Sequence, residues 1–166
     1  ICAVLRDGQA LVPNSGLFTF LEGDRVFVTA PSKNLAVLLK NLGIITRRVR
    51  SVLICGAGRV CYYLASSLLK NGIDVKIVER DPALCRVIHE KIPSATVLCG
   101  DGTEQEMLES ESLSSCDAFV ALTDRDEDNF IISLYAMQQG VPKVIVKSNR
   151  TNYAGIARSV GLDSVL

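Results

Sequence analysis

Apolar positions along this chain change their rhythm near residues 43–50. From residue 51 onward, short continuous apolar runs alternate with longer stretches whose apolar residues recur at helical spacing. Continuous runs suit strands covered on both faces, and the helical stretches supply the cover, so the pattern predicts a parallel sheet with helices on each side. Strands are predicted over 51–55, 75–78, 96–99, 118–122 and 144–146, and helices over 60–71, 82–91, 104–109, 127–139 and 153–160. Asp81 before Pro82 reads as a helix cap with proline in the first turn, and Thr103-Glu104-Gln105-Glu106 as a capping box. Gly72, Gly140 and Gly161 suit left-handed helix ends. Right-handed crossovers then make the sheet doubly wound. Residues 163–166 read as the beginning of a sixth strand.

Before residue 43 the pattern is different. Short β-like runs over 2–5, 10–12 and 25–29 are separated by turn signals at Asp7-Gly8, Pro13-Asn14 and Glu22-Gly23-Asp24, and a helix follows over 33–41. The expectation is an antiparallel meander with one helix, abrupt at its apolar start, as if it were the end of a domain whose beginning is missing. Residues 44–50, with Arg47, Arg48 and Arg50, read as a solvated linker. The fold class expected overall is α/β, a doubly wound Rossmann-like parallel sheet preceded by part of a small α+β subdomain.

Composition narrows the function. A chain of 166 residues that is 48% hydrophobic can bury one ordinary core. The 18 basic and 18 acidic residues cancel, which argues against nucleic acid or bulk anionic lipid as partner. No apolar run approaches the roughly 20 residues of a membrane span, and no signal-peptide pattern opens the chain, so a cytosolic protein is expected. Cys2, Cys55, Cys61, Cys85, Cys99 and Cys116 form no Cys-x-x-Cys pair and read as reduced, small hydrophobes. His89 has no second ligand at metal spacing and reads as a surface imidazole, so no metal site is expected.

The chemistry gathers at the strand ends. Gly56-Ala57-Gly58-Arg59-Val60-Cys61 follows a strand and opens a helix. In that context the first glycine permits a tight turn, and the second lets backbone approach a phosphate at the positive end of the helix. Cys61 replaces the third glycine of the fingerprint, which predicts a slightly wider approach of helix to strand. Glu79 ends the second strand about 20 residues later, where a carboxylate accepts ribose hydroxyls and disfavours a 2′-phosphate. That favours NAD or an unmodified adenosine phosphate over NADP. Asp101, in Cys99-Gly100-Asp101-Gly102-Thr103, ends the third strand within reach of an adenine. Arg59 gains an anionic partner from its place beside the phosphate loop. The acidic run Asp126-Glu127-Asp128 is explained by the attraction of carboxylates to a helix N-terminus. No nucleophile, base or paired carboxylate can be assembled around this edge, so no catalytic residue is expected.

These motifs together, with Ala121-Leu122-Thr123-Asp124 and Gly161-Leu162-Asp163-Ser164-Val165, resemble the nucleotide-binding regulatory subunit of Trk-type potassium uptake systems, whose domains regulate potassium conductance. Cys2-Ala3-Val4-Leu5-Arg6-Asp7-Gly8 and Gly23-Asp24-Arg25-Val26-Phe27-Val28 resemble the latter half of that family's carboxyl-terminal ligand subdomain. The resemblance implies residues 1–45 as the end of one ligand subdomain, and 46–166 as the start of the next Rossmann-like domain, lacking its last strand and helix. It implies NAD(H) as ligand, with ATP or ADP as the alternative. Gly56, Ala57, Gly58, Arg59 and Val60 would hold phosphates, Glu79 and Arg80 the ribose side, Asp101 and Gly102 the adenine region, and Thr123 the opposite wall. It further implies a cytoplasmic homo-oligomer, dimers within a ring at the inner face of the membrane, that gates a potassium channel or transporter subunit without turnover. An NAD-dependent oxidoreductase fragment and a degenerate Rossmann module used only for assembly remain the alternatives.

Overall fold

The computed structural model describes residues 2–44, 48–111, 113–150, 153–162 and 164–165, the side chains at 32, 154 and 158 excepted. The chain divides into two compact units, Ile1–Arg48 and Val49–Leu166. Of the expected linker, residues 45–47, including Arg47, lie outside the described residues.

The first unit holds β1 (Ala3–Arg6), β2 (Gln9–Leu11), β3 (Arg25–Phe27) and α1 (Ser32–Asn41). The expected meander is not what forms. The order is β2-β1-β3, with β1 in the centre and both neighbours antiparallel to it. Asp7 and Gly8 both have positive φ (50° and 79°), the conformation that a two-residue hairpin needs, and they fold β2 onto one edge of β1. The chain then travels through residues 12–24 to reach the other edge, because a bidentate ion pair waits there. Arg6 donates from Nε and Nη2 to the Asp24 carboxylate, at 2.7 Å each. That guanidinium, with the Leu21 amide, holds the Asp24 carboxyl down at about 2. Val4 is the buried apolar side chain of this sheet, whereas Leu17 and Val12 are exposed.

The second unit contains β4 (Ser51–Cys55), α2 (Arg59–Lys70), β5 (Asp74–Glu79), α3 (Pro82–Lys91), β6 (Thr96–Cys99), α4 (Gln105–Ser110), β7 (Ala118–Ala121), α5 (Asp126–Gln138), β8 (Val144–Val146) and α6 (Tyr153–Ser159). Its five strands are all parallel, in the order β6-β5-β4-β7-β8. Alternate residues of β4 face opposite ways and both faces are covered. Ile54, Ile77 and Val120 lie under α2 and α3, with Cys61, Ala65 and Ile88. Leu53 and Phe119 lie under the helices of the other face, with Leu108 and Ile132. Cys61 and Ala65 are fully buried, small side chains one helical turn apart, on the face of α2 that packs on the sheet. Val165 pairs with Val146 in parallel as an isolated bridge, where the sixth strand was expected; Asp163 and Leu166 lie outside the described residues.

Four helix starts shift by one residue from the sequence expectation, and two of the shifts, at α4 and α5, have a visible cause. Thr103 does not cap α4. Its amide and hydroxyl both turn back to Asp101 Oδ1 (2.9 and 2.7 Å), so the helix begins at Gln105 with no side-chain cap. The predicted capping box loses to this tighter local turn. The start of α5 at Asp126 is earlier than apolar spacing suggested, because Asp126, Asn129 and Ser133 share its buried face with Ile132 and Ala136. Asp81 does cap α3, accepting the Ala83 amide at 2.8 Å.

Candidate functional site

Chain order reverses in the sheet between β4 and β7, since β4 connects outward to β5 while β7 continues the other way. Such a switch point leaves a crevice beyond the carboxyl ends of the strands. A cavity of about 340 Å³ occupies it, within the range of small-ligand sites. Gly56, Glu79, Arg80, Asp101 and Thr123 line it, so the sheet gathers residues from four different strand ends. Ala57, Gly58 and Gly102 also line it.

The two loop glycines differ in what they meet. Gly56 has φ +101°, and a Cβ there would lie 2.7 Å from the Leu122 carbonyl oxygen. The protein itself demands glycine at that position. A Cβ on Gly58 would meet nothing within 4 Å. Packing places no demand on Gly58, which also occupies the N-cap of α2 and supplies no side-chain cap. The helix start therefore opens its amides and positive dipole end to the crevice, with room for a group that approaches the backbone.

Glu79 is tied to this loop. Its Oε2 accepts the Ala57 amide at 2.7 Å and its Oε1 accepts the Asp81 amide at 2.9 Å, which fixes the carboxylate between the glycine turn and the α3 cap. Asp101 lies at the end of β6, and the two bonds from Thr103 hold its carboxyl below the usual range. Arg80 reaches Asp124 at 3.6 Å, joining the loop after β5 to the loop after β7. Arg59 and Val60 are exposed on α2 and do not line the cavity. Two of the ten predicted contact residues are thus left outside it, because α2 turns away from the crevice after Gly58. His89 is exposed on α3, away from the lining, and among the described residues no cluster of His, Cys, Asp or Glu is arranged to hold a metal.

The opposite wall depends on residues that sequence reasoning missed. Asn129 is fully buried; its Oδ1 accepts the Thr123 amide at 2.8 Å and its Nδ2 donates to the carbonyls of Thr123 and Lys147 (3.2 and 3.1 Å). The Thr123 hydroxyl lies 2.7 Å from the same Oδ1. Lys147 follows β8, lines the cavity, and donates from Nζ to the Thr123 carbonyl at 3.2 Å. Its place just past the fifth strand, at the edge where the other site residues sit, was the available signal. Asp126 is buried and receives the amides of Asn149 and Arg150 and the hydroxyl of Ser148, which pin the loop after β8.

Residues 52–166 match the TrkA-N domain. A Trk system potassium uptake protein TrkA homolog from Methanosarcina mazei is 30% identical over 164 residues, 98% of this chain and 36% of the relative. The chain thus spans about a third of the length of that relative. Among solved structures, the GsuK channel bound to NAD superposes with a TM-score of 0.62 at 16% identity, over 80% of this chain and 25% of that one. The Kef CTD of Shewanella denitrificans in its AMP-bound form gives 0.60 at 19%, over 70% of each chain. Those two likenesses concern the fold; the sequence match carries the kinship. No helix among the described residues is long and apolar enough to cross a membrane. The chain belongs to the TrkA-N domain family.

Proposed function

We propose that the unit Val49–Leu166 binds an adenine nucleotide, NAD(H) first and ATP or ADP as the alternative, and that occupancy regulates a membrane potassium transporter without turnover. The observation that carries the reading is the contrast between the two glycines: the protein fills the space around Gly56 and leaves that around Gly58 open beside a bare helix start. A phosphate chain would accept amides of Gly58, Arg59 and Val60 at the start of α2, the Arg59 and Val60 side chains taking no part. Lys147 Nζ adds a cation on the facing wall. Glu79 would accept ribose hydroxyls while keeping the Ala57 amide, Arg80 would cover the ribose side, Asp101 and Gly102 would flank the adenine, and Thr123 would form the far wall. A bulkier residue at Gly102 would press on Cys55 Sγ, at 2.9 Å from the added Cβ, so this part of the wall is packed from beneath.

The regulatory reading is supported by the Methanosarcina relative, a potassium uptake protein, and the ligand class by the solved neighbours bound to NAD and AMP. Nucleotide occupancy would act by population shift: a ligand that binds one assembly state better moves the equilibrium by its differential affinity. The same reading makes 1–45 the end of a ligand subdomain and 46–166 a Rossmann-like domain of a homo-oligomeric, cytoplasmic regulator at the inner face of the membrane, with a potassium channel or transporter subunit as partner.

Calorimetric titration of the chain with NAD, NADH, ADP and ATP tests this. The expected result is binding of at least one of the four, weakened about tenfold or more by Glu79→Gln through the lost charged hydrogen bonds. Absence of binding by all four would overturn the ligand reading, and hydride transfer to or from a bound nicotinamide would overturn the absence of turnover.

A further inference from the structure

Strand β6 is an edge of the parallel sheet, and Cys99 is its last residue. Val97 packs into the cluster that contains Ile88 of α3. Side chains two apart on a strand share a face, so Cys99 lies on the face that α3 covers. Cys85 of α3 meets it there. The Cys85 Sγ donates to the Glu79 carbonyl at 3.2 Å, and Glu79 is the residue paired with Cys99 in the β5–β6 ladder. Cys85 Sγ thus sits beside the backbone pair that carries Cys99, and Cys99 is among the groups that act on the Cys85 thiol. Cys85 is buried and Cys99 exposed.

We propose that Cys85 and Cys99 form a reversible redox-modification site that closes to a disulfide on reaction with a hydroperoxide. Burial, then the interaction with Cys99, pushes the Cys85 thiol up to about 11, and the exposed Cys99 is the sulfur that oxidant meets first. The Cys99 thiolate attacks one peroxide oxygen; the O–O bond breaks, the other oxygen leaves as water or alcohol after taking a proton, and Cys99 becomes a sulfenic acid. Cys85 then gives up its proton and attacks the Cys99 sulfur; the S–O bond breaks, hydroxide takes up that proton, and water leaves. Two thiols and one hydroperoxide thus give one disulfide, one water and one further water or alcohol. The remaining cysteines are placed differently: Cys55 and Cys61 are buried in the sheet core, Cys116 is half-buried near β7, and Cys2 belongs to the other unit.

Closing the disulfide removes the Cys85 bond to the Glu79 carbonyl and ties α3 to the strand end that leads to Asp101. Resting on the nucleotide reading above, oxidation is therefore expected to change nucleotide affinity about fivefold or more. The test treats the full chain with hydrogen peroxide, blocks free thiols, digests without reductant and maps the peptides by mass. A Cys85–Cys99 peptide pair, two hydrogens lighter and separated again by dithiothreitol, is expected, with Cys85→Ser converting Cys99 to its sulfinic acid instead. Sulfinic acid at Cys99 beside a free Cys85 in the wild-type chain, or Cys99 joined to any other cysteine, overturns the proposal. NAD, NADH, ADP and ATP titrated into the reduced and oxidised chains read the coupling separately. Equal affinity of both chains for every nucleotide that binds overturns the coupling, and no binding of any of the four to either, with the disulfide formed, counts against the nucleotide reading alone.

Discussion

At the carboxyl edge of the parallel sheet, the chain leaving β5 reads Glu79-Arg80-Asp81 and the chain entering α5 reads Asp124-Arg125-Asp126, the same charge pattern on either side of one cavity. They spend their carboxylates differently. Asp126 is buried, does not line the cavity, and gathers donors from Ser148, Asn149 and Arg150. Glu79 is half-exposed, lines the cavity, and bonds to the glycine loop itself. One half of the edge is therefore architecture that holds a wall in place, and the other half presents its charge where a ligand would sit. Position at a strand end does not separate the two roles; burial and the number of internal donors do.

The largest expected effect comes from the point where the halves touch. Gly56→Ala would drive a Cβ to 2.7 Å from the Leu122 backbone while holding φ near +101°. Backbone cannot yield as a flexible side chain does, so a loss of about 3 kcal/mol or more is expected in urea unfolding. Gly58→Ala, at φ −71° and in open space, should cost less than about 1 kcal/mol and instead weaken nucleotide binding. Equal stability losses for the two variants would erase the distinction between a glycine required by packing and one reserved for a ligand.

Asn129→Ala tests the architectural half. The side chain is fully buried, and its removal takes the side-chain partner from the Thr123 amide and the Lys147 carbonyl, while the Thr123 carbonyl keeps Lys147 Nζ. A loss of about 3 kcal/mol is expected by chemical denaturation, since each buried orphan costs on the order of 1 kcal/mol or more. A cost below about 1 kcal/mol would mean that the wall beside Thr123 is not held as described.

The difference between the halves also marks what could be seen in the sequence. Continuous apolar runs located β4, β6 and β8 to the residue, and in β4, buried at four of its five positions, cover on both faces leaves no polar alternation to blur the ends. The glycine loop and Glu79 were legible because each answers to a local rule of turn geometry and spacing. Asn129 and Lys147 were not, since their partners lie on other strands and no local pattern announces them. The buried face of α5 carries Asp126, Asn129 and Ser133, so an apolar periodicity understates the helix. The first unit was misjudged for a related reason. A meander is the shortest local path, and only the distant pair Arg6 and Asp24 shows why β3 goes to β1 instead.

A smaller effect, and one with a pH signature, is expected from Asp126→Asn. The amide of Asn149, outweighing the burial of the carboxylate, together with Ser148 and Arg150 holds the Asp126 carboxyl below its ordinary value of 3.8 in the folded chain. A folded-state value below the unfolded one gives stability that is present in full above the unfolded value and disappears as pH falls through the folded value. The wild type should therefore exceed the variant by about 2 kcal/mol near pH 7, from the charged hydrogen bonds, and the gap should narrow below about pH 4. Asp24 and Asp101 titrate low as well and remain in both proteins, so only the difference between the two melting curves reports Asp126. A gap that does not change with pH would show that Asp126 contributes by shape and not by charge.

The smallest expected effect belongs to an ion pair that spans both loops. Arg80 and Asp124 meet at 3.6 Å with side chains 54% and 81% exposed. Solvent screens such a pair, and ordering two exposed side chains offsets much of the attraction, so each single alanine variant should change stability by less than about 0.5 kcal/mol. The double-mutant cycle isolates the pair from whatever else each residue does, and a coupling within about 0.5 kcal/mol is expected at low salt, smaller still at high salt. A coupling above about 1 kcal/mol would mean that the ion pair locks the two halves together across the cavity. Then the ligand-facing half could not be treated as free to respond to a nucleotide while the other half stands still, and Asp124→Ala would be expected to raise nucleotide affinity by releasing that lock.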